Sequence, residues 1–492
     1  MNRILITITT LAITPLLLFA QKPINKLTFE EVIQMAKDQS PRAIQAKHTF
    51  RASYWEYRSY RAELLPNLIL KGSLPDYRRN LKTIEDTEGK HVIEENANQM
   101  AANLYLQQNI GLTGGTFRIN TSMNRTDEFG KRDTSYYISS PIINIGYSQP
   151  LFGFNSLKWK KKIEPLKYEE AKRTYLQEME NISMQASRLF FDMIMAQQNL
   201  KTAKLNYANT DTLYKIAKGR YNIGTIAENE LLQMELSFLN AGSAVNEAEV
   251  DLQLKKLRLK SYLGLNDLYD LELIIPENIP EMELRFDEVL ALAKENNPLI
   301  IQYQRQLIEA DQNVAQTRAQ RGLSAQLDVN YGLNQSAASI SNVYKDPREQ
   351  QNVSIDLTIP ILDWGKGRGQ VKMAQSRREV VRATVEQALI DFEQEMFLNV
   401  MQFNRQDDQV KISEKADLIS QNRYNVTKER FLIGKIDVLD LNVAQSERDQ
   451  AKTKYINTLG NFWQYYFNMR KLTLYDFEKK APIGIEFEEL VK

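Results

Sequence analysis

Cysteine is absent from all 492 residues, and histidine occurs only twice. Without thiols the chain forms no disulfide, holds no thiolate metal site and carries no lipoprotein anchor, which needs an N-terminal Cys. His48 and His91 have no metal-ligand spacing between them, so no metal or other cofactor is expected. Net charge is nearly absent as well. Lys+Arg 63 against Asp+Glu 62 leaves no footprint for nucleic acid and no polybasic patch for anionic lipid. Beyond the N-terminus no apolar run reaches the roughly 18 residues of a spanning helix. Nothing assembles a nucleophile, a base and oxyanion donors, so no enzyme is expected. Gly365-Lys366-Gly367-Arg368-Gly369 lacks phosphate-loop spacing and reads as a strand-to-helix turn.

The N-terminus reads as a secretory signal over residues 1–20. Arg3 supplies the positive charge, Ile4 to Phe19 the apolar stretch, and Leu18-Phe19-Ala20 the cleavage site. The mature chain then begins at Gln21 and leaves the cytoplasm.

Proline is missing between Pro165 and Pro276, and again between Pro360 and Pro482. An interior proline costs a helix about 3 kcal/mol, so both spans admit very long helices. A seven-residue pattern from Leu189 through Met193, Ala196, Leu200, Ala203, Tyr207, Thr210, Tyr214, Ala217 and Tyr221 forms a coiled-coil seam. The corresponding stretch from Ile412 to Ile433 is less regular, with Arg423 and Arg430 on the seam. Gly224 and Gly434 interrupt the two spans, each behind Arg-aromatic-x-x, where glycine allows a left-handed cap and a reversal. Two helical hairpins follow, about 155–264 and about 366–471. A helix of about 65 residues extends roughly 100 Å. One pair of that length is poorly buried, which predicts packing against further copies of the chain.

Strict alternation marks strands at about 66–74, 138–149, 325–334 and 352–361. Leu327, Val329, Tyr331 and Leu333 alternate with polar neighbours, as do Val353, Ile355, Leu357 and Ile359. Leu68, Leu70 and Leu74 with Ile143, Ile145 and Tyr147 do the same earlier. Ten-residue segments with one apolar side suit a membrane barrel with a wet interior, and also an ordinary half-buried sheet. Thr113-Gly114-Gly115 turns an extra hairpin at about 103–123, which either extends the barrel or caps it outside the membrane. Pro75 to Gln99 is polar and charged and reads as an exposed loop.

The chain is also a duplication. Gln149-Pro150-Leu151-Phe152 matches Ile359-Pro360-Ile361-Leu362, and Arg220-Tyr221-Asn222-Ile223-Gly224 matches Arg430-Phe431-Leu432-Ile433-Gly434, both 210 residues on. Leu27 to Val32 matches Leu284 to Val289, and Ser40-Pro41 matches Asn297-Pro298, 257 residues on. The first copy therefore holds 47 additional residues between Pro41 and Pro150. The organisation is a first repeat over 21–280, a second over 281–475 and a tail over 476–492.

Strand, x-Pro-Leu/Ile-Phe/Leu, long helix, Arg-aromatic-x-x-Gly and second long helix, all twice, resembles the TolC family of outer-membrane factors. The resemblance covers about Leu27 to Leu474. It implies a mainly α chain with a membrane β-barrel part, four strands per chain making a trimeric 12-stranded barrel, continued by a periplasmic α-helical barrel. It implies an outer-membrane location in a Gram-negative bacterium with a large periplasmic part and no lipid anchor. The implied function is the outer-membrane channel of a tripartite efflux pump or type I secretion system, a passive export duct. Its implied partners are two further copies, outer-membrane lipid, a periplasmic adaptor (membrane fusion protein) and an inner-membrane transporter; nucleic acid is not among them. The alternative is a pore-less exported coiled-coil scaffold.

By that resemblance Arg220, Tyr221, Gly224, Thr225, Arg430, Phe431, Gly434 and Lys435 contact the adaptor at the helical tips. A compatible reading has the Arg and the aromatic packing the helix ends while Gly caps them. Asp440, Asp437 and Glu230 are candidates for an acidic ring at the periplasmic gate, or are ordinary helix N-terminal acids favoured by the macrodipole. Asp440 is the first choice among them. Pro150, Phe152, Pro360, Trp364 and Gly365 mark the strand-to-helix turns.

Overall fold

The computed structural model describes residues 26–86, 89–129, 134–265, 271–276, 279–433, 435–436 and 438–491. The expected signal segment, Gly434 and Asp437 lie outside the described residues. In chain order come β1 (Lys26–Leu27), α1 (Phe29–Gln39), α2 (Pro41–Glu63), β2 (Asn67–Asp86), β3 (Gly89–Asn109), β4 (Thr116–Glu128) and β5 (Thr134–Leu151). Next are α3 (Ser156–Asn222), α4 (Glu228–Leu263), β6 (Glu272–Leu273), α5 (Phe286–Asn296), α6 (Pro298–Arg321), β7 (Ser324–Ala337), α7 (Ile340–Val343) and β8 (Arg348–Thr358). The chain ends with α8 (Lys366–Asn404), α9 (Gln406–Leu432), α10 (Val438–Thr473), β9 (Tyr475–Asp476), β10 (Ala481–Pro482) and α11 (Phe487–Val491). Among the described residues no helix is long and apolar enough to cross a membrane.

Two compact units share these elements. The first holds the chain as far as Ile44, Met179–Glu283 and Gln402–Asn468. The second holds Gln45–Glu178, Leu284–Met401 and the chain from Met469.

In the first unit α1 starts with a capping box, Thr28 accepting from the Glu31 N–H while Glu31 reaches back to the Thr28 N–H. That cap delivers Phe29 into an aromatic cluster, with ring centroids 4.5 Å from Trp463, 5.2 Å from Phe190 and 5.7 Å from Phe191. Each buried ring adds about 1.5–3 kcal/mol by leaving water. Gly460 lets α10 approach α3, since a Cβ there would sit 3.1 Å from the Phe191 side chain. The expected seam is half of the story. Met193, Ala196, Thr210 and Ala217 are buried, but Tyr207 and Tyr221 are exposed, and Phe190, Ile194 and Leu213, which lie to either side of the seam, are buried as well. A helix with neighbours on more than one side buries more than a single seam.

The second unit is built around one six-stranded antiparallel sheet in the order β2-β3-β4-β5-β7-β8. This is two strands more than the four per chain that the resemblance implies. The 47 additional residues of the first copy make the difference, because they form β3 and β4. The stretch read as an exposed loop, Pro75 to Gln99, is strand instead: β2 and β3 pair from Asn67↔Gln107 to Asp86↔Gly89. Arg79 binds Glu94 across the pair there. Both faces of this outer part carry charge, so it has no apolar period for sequence reading to detect. Register shifts fall at Ser73/Asp76, Asn120/Asn124 and Ser139/Ile143. Pro75 and Pro141 sit inside two of them, where a residue without an N–H breaks no ladder bond.

Helices of this unit are tied by polar groups that are partly or fully buried. Arg305 on α6 bonds Glu170 on α3 at 2.7 Å and Glu309 at 2.9 Å. Glu170, an acid in a long polar stretch of α3, is only 19% exposed at its side chain. Asn297 caps α6 through the Leu299 N–H and donates its amide to the Leu472 carbonyl at 2.8 Å. The equivalent Ser40, which belongs to the first unit, accepts from the Ala43 N–H. The repeated Ser/Asn-Pro pair is thus a repeated helix start. The first arm of the second helical hairpin is broken at Arg405 into α8 and α9, a break that no Pro or Gly in the sequence announces.

Candidate functional site

The reversal between α3 and α4 is a Schellman motif. The Thr225 N–H reaches the Arg220 carbonyl and the Gly224 N–H the Tyr221 carbonyl, both at 2.9 Å. Gly224 has φ +73°, a value open to glycine at little cost. In the second copy the Lys435 N–H reaches the Arg430 carbonyl at 3.0 Å, the same six-to-one bond 210 residues on.

The two tips share one core. Leu213, Ala217, Met234, Tyr424, Phe431, Leu441 and Ala444 are buried together, with Ile226 and Ile436 packed against them. The Arg220 guanidinium lies over the Phe431 ring at 5.9 Å. Of the eight tip residues, Phe431 is 6% exposed and therefore packs the helix end. Its counterpart Tyr221 is 39% exposed. Tyr221, Thr225, Arg430 and Lys435 face solvent, joined by the exposed Ile223, Leu432 and Ile433. Glu230 and Asp440 lie exposed in the first turns of α4 and α10, where the helix dipole favours acids.

A polar cluster that sequence reading missed fastens α3, α9 and α10 beside this core. Arg448, 4% exposed, stacks 4.1 Å over the Tyr424 ring and donates to Asp449 at 2.6 Å and Asn206 at 2.8 Å. Asn206 in turn donates to Asp449 at 2.9 Å. Asn209 donates to the Tyr424 hydroxyl at 3.0 Å and accepts from Lys428 at 3.0 Å. Burial raises the Tyr424 phenol above its ordinary value, with the Arg448 charge opposing. Apart from Tyr424 these five residues are ordinary polar letters in polar helices, so no pattern singles them out. Alongside runs a groove of about 1050 Å³ lined by Asn199, Asn206, Asn240, Asn442, Gln445 and Asn457 among others. Amides of this kind suit water and hydrated solutes rather than an apolar ligand. Among the described residues no group of three His, Asp or Glu is placed to hold a metal ion.

The strand-to-helix turns carry left-handed backbone at bulky residues: Phe152 has φ 59° and Trp364 φ 52°, followed by Gly365 at 86°. Both rings are exposed, Phe152 at 72% and Trp364 at 90%. Asp363 holds the second turn, its two oxygens accepting from the Gly365 N–H at 2.9 Å and the Gly367 N–H at 2.8 Å. Those backbone donors, Gly367 first, lower the Asp363 carboxyl below the usual range. Asn155 does the same work before α3, accepting from the Lys158 N–H at 3.0 Å. Pro150 remains within β5, while Pro360 follows the end of β8.

The family model described as outer membrane efflux protein matches residues 91–265 and 289–473. The chain belongs to the outer membrane efflux protein family. It is an outer-membrane export channel. Solved structures share the fold at low identity. The Campylobacter jejuni CmeC outer membrane channel is 16% identical, with a TM-score of 0.67 over 94% of this chain and 88% of that one. VceC from Vibrio cholerae is 12% identical, with a TM-score of 0.61 over 93% and 97%. The open state of Neisseria gonorrhoeae MtrE is 14% identical, with a TM-score of 0.58 over 90% and 88%. No curated protein matches the chain. In this efflux protein the two matched segments each end within a few residues of a helical hairpin's second arm, at Leu263 and Thr473.

Proposed function

We propose that this efflux protein is a passive homotrimeric duct that completes a tripartite efflux pump or a type I secretion system. Its two repeats, 21–280 and 281–475, give three chains six similar hairpins around one axis. The sheet meets outer-membrane lipid, and the tips meet a periplasmic adaptor that belongs to an inner-membrane transporter. The observation that carries the reading is the pair of capped tips around a single core, with exposed Tyr221, Ile223, Thr225, Leu432, Ile433 and Lys435 left over for a partner. Opening requires α9 and α10 to part from α3, which breaks the Arg448–Tyr424–Asn206–Asn209 cluster.

Heated against unheated electrophoresis of the outer-membrane fraction, with conductance in planar bilayers, tests this. A heat-dissociable trimer and single-channel steps are expected; absence of both overturns the channel and leaves the pore-less scaffold. Crosslinking from Tyr221, Thr225 and Lys435 captures the adaptor. Three-fold symmetry turns Asp440 into a ring of carboxylates, so Asp440→Asn lowers block by multivalent cations. Unchanged block removes the ring.

A further inference from the structure

The six-stranded sheet separates its faces strand by strand. One register row joins Leu68, Leu106, Ile119, Ile145, Tyr331 and Gln351 across β2, β3, β4, β5, β7 and β8. The adjacent row, on the opposite face, joins Asn67, Gln107, Arg118, Gly146, Asn330 and Asn352. The first row is apolar in five positions of six. The second has no apolar side chain. The hairpin β3–β4 follows the same phase as the four strands that the repeats supply. A hairpin standing free in water has no reason to keep it, because neither of its faces would need to be apolar.

Polar bonds continue across the join. Asn144 on β5 donates to Asn120 on β4 at 3.0 Å and to Asn330 on β7 at 3.4 Å. At the other end the turn of the hairpin is fixed to the helix-proximal segments. The Gln108 amide donates to the Leu64 carbonyl at 2.7 Å, Gln149 to the Thr113 carbonyl at 2.9 Å, and Asn155 to the Gly111 carbonyl at 3.1 Å. The turn therefore lies level with the strand-to-helix turns, and β3 and β4 run the height of the sheet. Below the register shifts, β5 has 143–151 and β7 has 324–333, close to the nine to eleven residues of a tilted membrane strand.

Two edges remain. The outer edges of β2 and β8 are unpaired among the described residues, and a lipid-facing sheet tolerates no open edge. Resting on the trimeric-channel reading above, we propose that β3–β4 is part of the transmembrane wall, that β2 of each chain pairs with β8 of the next copy, and that the barrel closes at eighteen strands. Barrel diameter grows roughly linearly with strand number, so this wall is about one and a half times as wide as one built from four strands per chain. The occupant of the apolar face is lipid, and the occupant of the edges is a second copy.

The cysteine-free chain makes the test direct. Leu104→Cys and Ala102→Cys lie on the apolar phase of β3, and Asn103→Cys on the polar phase. In intact outer membranes a charged, membrane-impermeant thiol reagent should label Asn103→Cys and lose its reaction with the other two. Equal labelling of all three in variants that still form heat-dissociable, conducting trimers overturns the eighteen-stranded wall and leaves the channel standing. Loss of trimer and conductance in the unsubstituted protein as well overturns the channel reading itself. Cryo-electron microscopy of the detergent-solubilised trimer, viewed down its axis, should count eighteen strands; twelve overturns the proposal.

Discussion

Gly224 shows how one residue type fixes a tip. Its φ of +73° closes the Schellman motif on Arg220 and Tyr221, and no Cβ contact stands in the way, so the cost of a larger residue is conformational alone. Gly224→Ala is expected to cost about 1 kcal/mol and to speed amide exchange at Thr225. Unchanged exchange would refute the cap. The cap was legible because only glycine fits that position comfortably. What the neighbouring ring does was not: Tyr221 and Phe431 occupy corresponding positions in the Arg-aromatic-x-x-Gly motif, yet one faces solvent and the other fills a core. That choice is made by Met234 and Leu441 from other helices, and no local pattern contains them. Asp363 carries a pH dependence at the same scale. Its carboxyl is held below its ordinary range by the Gly367 and Gly365 N–H groups, so its stabilising effect is complete above the unfolded-state value. It is lost as pH falls through the lower folded-state value. Acid titration should therefore unprotect the Gly365 and Gly367 amides, and Asp363→Asn should flatten that dependence.

Among the elements, periodicity is legible only where water and apolar surroundings differ across the element. The inner parts of β5, β7 and β8 alternate and were readable. The outer parts of β2 and β3 carry charge on both sides, with Arg79 bound to Glu94, and so read as loop. Helix breaks are a second blind spot: Arg405 separates α8 from α9 with right-handed backbone, φ −83° and ψ −14°, and no breaker residue. Contacts between helices are also invisible in one segment. Arg305 joins α6 to α3 through Glu170, although 135 residues separate them. Arg305→Met leaves Glu170 and Glu309 short of their common partner. It should cost about 2 kcal/mol, measured as a lowered midpoint of thermal unfolding in detergent, with Arg305→Lys between the two. Equal midpoints would show that the carboxylates are satisfied by water.

The whole molecule repeats its plan with one departure. β2 starts at Asn67 and β7 at Ser324, 257 residues apart, while the tips and strand-to-helix turns keep the shorter offset of 210. The departure was legible as a count of residues and not as strands, because β3 and β4 have no counterpart in the second copy with which to align. Facing, by contrast, is a property of the complete sheet. Ile145→Arg places a charge in the apolar row and should cost about 2–4 kcal/mol if it lies at the bilayer midplane, lowering the yield of assembled trimer in the outer membrane. Asn144→Asp, one residue away in the polar rows, should leave the yield intact. Equal losses from both would mean that the two faces meet the same surroundings.

The unequal fates of Tyr221 and Phe431 bear on what each tip accepts. A tyrosine at position 431 would set a phenol hydroxyl among Leu213, Met234 and Leu441, at a place only 6% exposed. A phenylalanine at position 221 would lose only a hydroxyl on a ring that is 39% exposed. The two corresponding positions are therefore not interchangeable: the second tip constrains its aromatic residue, and the first leaves room for substitution.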